Sequence, residues 1–281
     1  MLTSPVKEGQ ARKYAEELLA SLPTLSCPVP LEQVAIARGI KRIVKAKLDS
    51  DGFLFKDRRG FAIYVNRILS EARHRFTCAH EIGHTYFEKT TAGVLSHTDK
   101  WESLGCLTEF VERDKEEEYL CDVFAVELLM PSALVQGIVE REQPSFRCIH
   151  ALTSLFKVST SAAAWRMCEL AHENIGIIWF KLMGKPSNSD DIKLRLDWGT
   201  FPQQSRIYLP RFDAVRIDSL ISKCLASGQI LEGFERLSFG TLRQTHYLKC
   251  KRFGKSVLCL VSPTEPYQSR QSDSYITSLS I

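Results

Sequence analysis

Apolar positions recur with a helical period over residues 7–22, where Ala11, Tyr14, Ala15, Leu18 and Leu19 share one face among charged neighbours. Pro23, Pro28 and Pro30 break the pattern, and Pro30 opens a short helix through Val34, Ala35 and Ala37 that Gly39 closes. Two strands are predicted at 41–48 and 52–56, joined by a turn over 49–52, and a third at 61–66 leads into a helix over 70–87. Gly83 inside that helix costs roughly 1 kcal/mol relative to alanine, which implies a close neighbour there. Residues 90–113 lack a period. Residues 116–130 are apolar nearly all round and are stopped by Pro131, the pattern of a buried helix.

After a further helix to about Arg141, Pro144 precedes a helical pair, the first member through Ile149, Leu152, Leu155 and Phe156, the second over 160–171. The pair resembles a helix-turn-helix. Its second helix offers only Arg166 to bases or phosphates, so packing suits it better than reading DNA. From Ile175 the pattern turns to strands at 175–183, 192–198, 206–209, 241–252 and 256–261, with a helix over 213–226 and a polar hairpin loop or bridge over 184–191. The expected class is α+β, with an N-terminal domain over 1–142, a helix-turn-helix-like segment over 143–173 and an α+β module over 174–264. A mobile tail is expected over 265–281, where Ser, Gln, Tyr and Arg dominate.

Charge adds little to this. Lys+Arg 37 against Asp+Glu 33 gives a formal +4 over 281 residues, too slight to argue for nucleic acid. The nine cysteines are scattered and contain no C-x-x-C pair, which favours reduced thiols over a disulfide framework. The polar N-terminus and the lack of a spanning apolar run make a soluble, cytoplasmic protein the expectation.

The chemistry concentrates in His80-Glu81-x-x-His84. On a helix the two imidazoles stand one above the other, placed to hold one ion, and neutral imidazole suits zinc. Glu81 lies about 100° further round, beyond reach as a companion ligand but placed to touch a water in an open coordination position. This is the H-E-x-x-H arrangement of zinc peptidases. A third ligand should come from another element, and Glu118 and Asp122, four apart on the buried helix, read as a buried pair that requires partners. Glu118 suits the metal, while Asp122 suits the other ring N–H of a liganding histidine. Glu116 and Glu117 read as a solvated first turn favoured by the helix dipole, and Glu117 lies about 100° away from Glu118. His97 reads as a loop bystander and Cys78 as a core residue.

Two linked motifs carry a family resemblance. Arg75-Phe76-Thr77-Cys78-Ala79-His80-Glu81-Ile82-Gly83-His84, followed by Glu118-x-x-Cys121-Asp122-x-Phe124-Ala125-x-x-Leu128-Leu129-Met130-Pro131, is similar to the "RFTLAHELGH" and "E-x-x-A-N/D-x-F-A-x-x-L-L-M-P" of the ImmA/IrrE metallo-endopeptidases. Cys121 stands where alanine is usual, and Glu88 where a histidine often follows. The resemblance spans about 28–135. It implies a zincin-like domain with His80, His84 and Glu118 as ligands of one Zn2+ per chain, or another divalent ion such as Mn2+, and Glu81 as base. It also implies a protein substrate, typically a helix-turn-helix repressor of a stress response or mobile element, and a sensor-like C-terminal module. The rival expectation is a non-catalytic regulator that keeps the fold to bind a partner.

Overall fold

Gly83 sits where two helices touch. A Cβ there would lie 3.2 Å from both the Cys121 Cα and the Phe124 ring, so α3 (Glu71–Phe87) and α4 (Lys115–Leu129) approach backbone to side chain at this point. The close neighbour that the glycine implied is therefore α4. The computed structural model describes residues 4–57, 60–87, 115–172, 174–201 and 207–263, and its chain divides into two compact units, Met1–Ala171 and His172–Ile281.

In the first unit, Ser4 caps α1 (Pro5–Ala20), with Pro5 at its first turn and its buried face of Ala11, Ala15, Leu18 and Leu19 packed against α4. Helix α2 (Leu31–Ala37) leads into a three-stranded sheet of order β1-β3-β2, formed by β1 (Ile40–Ala46), β2 (Gly52–Asp57) and β3 (Gly60–Asn66). The turn between β1 and β2 joins two strands that do not pair, because the apolar β3 lies between them, parallel to β1 and antiparallel to β2. Asn66 fixes this turn by donating to the carbonyls of Leu48 and Ser50 at 2.6 and 3.1 Å. At Gly52 a Cβ would meet the Thr77 methyl at 2.5 Å, so only glycine lets β2 press against α3. The outer edge of the sheet is thereby held beside the helix that carries the histidines.

Helices α5 (Ser132–Glu142), α6 (Phe146–Phe156) and α7 (Thr160–Leu170) also belong to this unit. Ser145 and Ser159 cap α6 and α7, each accepting a backbone N–H at 3.1 Å. Arg166, the one side chain of α7 that the sequence offers for DNA, is 0% exposed. Its guanidinium pairs with Glu127 and Glu169 and donates to the Met130 carbonyl, tying α7 to α4. The reading of this pair as a packing element rather than a DNA reader rests on that burial.

In the second unit, β4 (Gly176–Lys185), β5 (Asn188–Thr200), β6 (Leu231–Arg236), β7 (Thr245–Phe253) and β8 (Ser256–Ser262) form an antiparallel sheet of order β5-β4-β8-β7-β6. The polar stretch over 184–191 is a tight hairpin, with Lys185 opposite Asn188. The helix expected over 213–226 starts only at Leu220 (α8, Leu220–Ser227), where Ser219 caps it. Residues 213–215 instead run beside β5, with Val215 N–H donating to Leu194 at 2.9 Å. Of the strand expected over 206–209, residues 207–209 are not extended pairs, and Arg206 lies outside the described residues. Strand β6 has no counterpart in the sequence reading. The described cysteines are free, and no single described helix is long and apolar enough to cross a membrane.

Candidate metal centre

His80 and His84 stand one turn apart on α3, their ring centroids 4.9 Å apart. The Nδ1 of each ring is engaged by α4: Asp122 Oδ1 lies 2.8 Å from His80 Nδ1, and Glu117 Oε1 lies 2.9 Å from His84 Nδ1. A carboxylate accepts only, so each Nδ1 carries a proton and, in the neutral ring that a metal requires, each Nε2 presents its lone pair. Both Nε2 atoms then face the Glu118 carboxylate, at 3.2 Å from His80 and 3.4 Å from His84. Ligands about 2.0–2.1 Å from a tetrahedral zinc are separated by about 3.3–3.4 Å, and each imidazole stands at about that separation from one of the two Glu118 oxygens.

Among the described residues, two buried atoms at this site lack hydrogen-bond partners, His84 Nε2 and Glu81 Oε2. Glu81 is 2% exposed, and an unsatisfied carboxylate oxygen at that depth is costly unless an ion or water meets it. A cation with its water supplies what both atoms need. In the metal-free site, burial works against the charge on His80, but hydrogen bonds to Asp122 and Glu118, with the charge of Glu81, outweigh it and raise its pKa to about 9. His84 is raised too, its burial outweighed by Glu118, Glu81 and Glu117.

Cys121 complicates the third ligand. With His80 and His84 it forms a set whose ligand atoms lie within 4.8 Å of one another. Its sulfur, however, approaches His84 at Nδ1, 3.5 Å away, the nitrogen that Glu117 holds. Burial, then Glu117, Glu118, Glu81 and Asp122, push its thiol pKa up, and the neutral thiol is a weak ligand.

The sequence expectation that Glu118 and Asp122 are buried needs correction. Their side chains are 32% and 53% exposed, because they face the opening between α3 and α4 rather than the core. The buried acid of α4 is instead Glu127, held by Arg166, Arg12 and Ser132. Glu116 is an exposed partner of Lys7, as a solvated first turn should be, but Glu117 is turned onto His84. The signal for that lies in Gly83: the helix face it touches contains Cys121 and Phe124, and Glu117 is one turn before Cys121 on the same face. Cys78 is buried on the far side of α3, and His97 lies outside the described residues.

Residues 41–167 match the IrrE N-terminal-like domain family, Peptidase_M78. The radiation response metalloprotease IrrE of Deinococcus radiodurans is 32% identical over 107 residues, which are 38% of this chain and 30% of that protein. Its namesake from Deinococcus deserti is 34% identical over 110 residues, 38% of this chain and 36% of that protein. The match thus spans about a third of the length of these curated relatives. A solved structure of a Mycobacterium tuberculosis transcriptional regulator superposes with a TM-score of 0.56 at 12% identity, over 92% of this chain and 77% of that one, a likeness of fold alone.

Proposed function

We propose that this chain, whose residues 41–167 match the IrrE N-terminal-like domain family, is a zinc-dependent endopeptidase of the ImmA/IrrE kind whose ion is held by His80, His84 and Glu118. The observation that carries this reading is the convergence of both Nε2 atoms on Glu118 beside the buried, unpaired oxygen of Glu81. A divalent ion bound there supplies Lewis-acid polarisation and a lowered pKa for water. Glu81 accepts the proton of the attacking water and returns it to the leaving amine. Asp122 and Glu117 hold the two rings in the tautomer that ligation requires. The edge of β2, which pairs with no further strand among the described residues and is pressed against α3 at Gly52, would take the substrate backbone as an added strand.

The substrate we propose is a helix-turn-helix repressor of a stress or mobile-element response, cleaved at one site. The names of the Deinococcus relatives support a stress setting and peptidase chemistry. A non-catalytic partner-binding role is the weaker reading, since it gives no reason to bury Glu81 unpaired beside the histidines. Co-expression with candidate repressors tests this: wild type should cleave one of them, and Glu81→Gln should keep metal and fold but lose cleavage. Full cleavage by Glu81→Gln would remove the proposed base.

A further inference from the structure

The two helices that carry the metal centre run on past it as a ladder of facing residues. On α3 the positions His84, His80, Phe76 and Ala72 follow at intervals of four, and on α4 Glu118, Asp122 and Val126 do the same in the opposite direction, with Met130 just beyond the helix end. His80 faces Asp122. The next rung, Phe76 and Val126, lines a cleft of about 220 Å3 whose far wall is the start of α7, with Val158 and Ala162. The Phe76 ring lies 6.3 Å from the His80 ring, so the cleft lies next to the metal centre along α3.

We propose that this cleft receives one large aliphatic side chain of the peptide substrate, at a position next to the cleaved bond. The inference rests on the endopeptidase reading and adds to it the substrate chemistry. Size argues for a single side chain: sites for whole small molecules run to about 300–1,000 Å3. Chemistry argues for an aliphatic one. Among the described residues the charged member of the lining is Arg73, which is committed to Asp51 at 2.6 Å and lies over the Phe76 ring at 5.6 Å. A carboxylate or ammonium in the cleft would be desolvated with only the hydroxyls of Ser70, Ser159 and Ser161 beside it and no uncommitted charge among the lining residues. The far wall is rigid, because Arg166, one turn beyond Ala162, donates to the Met130 carbonyl at 2.9 Å and to Ser132 Oγ at 2.8 Å. The helical pair thereby gains a role in recognition, with α7 closing a specificity pocket.

The test uses the full chain with labelled methyl groups and needs no turnover. N-acetyl-leucine N-methylamide should shift the methyls of Ala72, Val126, Met130 and Ala162, while the glycine and glutamate analogues bind at least about tenfold more weakly. Ala162→Trp should abolish the leucine shifts and leave one metal ion per chain; if that variant fails to fold, Ala162→Met is the smaller filling with the same expected direction. Unmoved methyls, equal binding of the three probes, or unchanged leucine shifts in the filled variant would overturn the proposal. Loss of the peptidase reading would show separately, as absent cleavage with the leucine shifts intact.

Discussion

Glu117 Oε1 lies 2.9 Å from His84 Nδ1, so the carboxylate next in sequence to the proposed ligand serves the other nitrogen of the same histidine that the ligand faces. Two adjacent acids on one helix turn divide the ring between them. Removing Glu117 should leave Glu118 in place but free the His84 ring to rotate and lower its basicity. Glu117→Ala is therefore expected to weaken zinc about 10–100-fold, with Glu117→Gln, which keeps an acceptor oxygen, at the low end. Competition against a chromophoric chelator measures this. An unchanged affinity would return Glu117 to a surface role.

Stability should respond to pH through Glu127. Burial raises its pKa, but the charge of Arg166 and the hydrogen bonds from Ser132 and Arg166 outweigh that, and the folded value is lowered below the ordinary one. A lowered folded pKa means that the ionised form stabilises the native state above the ordinary glutamate range, and that this contribution is lost as pH falls through the folded value. Glu127→Gln leaves the buried Arg166 with Glu169 as its remaining carboxylate partner and should cost about 1.5–3 kcal/mol at pH 7. The gap in Tm between variant and wild type should narrow as pH falls below the carboxylate range. A gap independent of pH from about 7 to about 3 would exclude the linkage.

Gly83→Val should destabilise by about 1–3 kcal/mol, because its Cβ meets the Cys121 backbone at 3.2 Å and its further methyls have nowhere to go. Since the same contact sets how closely α4 brings Glu118 to the histidines, zinc affinity should fall with stability. Chemical denaturation and metal titration of one preparation test both. A stable variant that has lost no affinity would show that the helix contact does not position the ligand.

What can be read in advance follows the range of each interaction along the chain. Helix α3 and its two histidines depend on a period within 17 residues, and the central strand β3 on an unbroken apolar run, so both are legible locally. The packing role of α7 is legible in its small apolar face, but the burial of Arg166 is not, because its partner Glu127 is 39 positions away. Strand β6 escapes a local reading because Gly233 interrupts it and Phe234 is 60% exposed, and its pairing with β7 is set by residues distant in sequence. At the site, the ligand spacing within each helix is local. The division of labour between Glu117 and Glu118 requires the register between α3 and α4, which Gly83 fixes and no single helix contains.

The most direct measurement is zinc-edge X-ray absorption on the zinc-loaded protein. Ligation by His80, His84 and Glu118 predicts a shell of nitrogen and oxygen only, with two imidazoles, at about 2.0–2.1 Å. A sulfur shell at about 2.3 Å would instead place Cys121 on the metal and contradict the account at its third ligand.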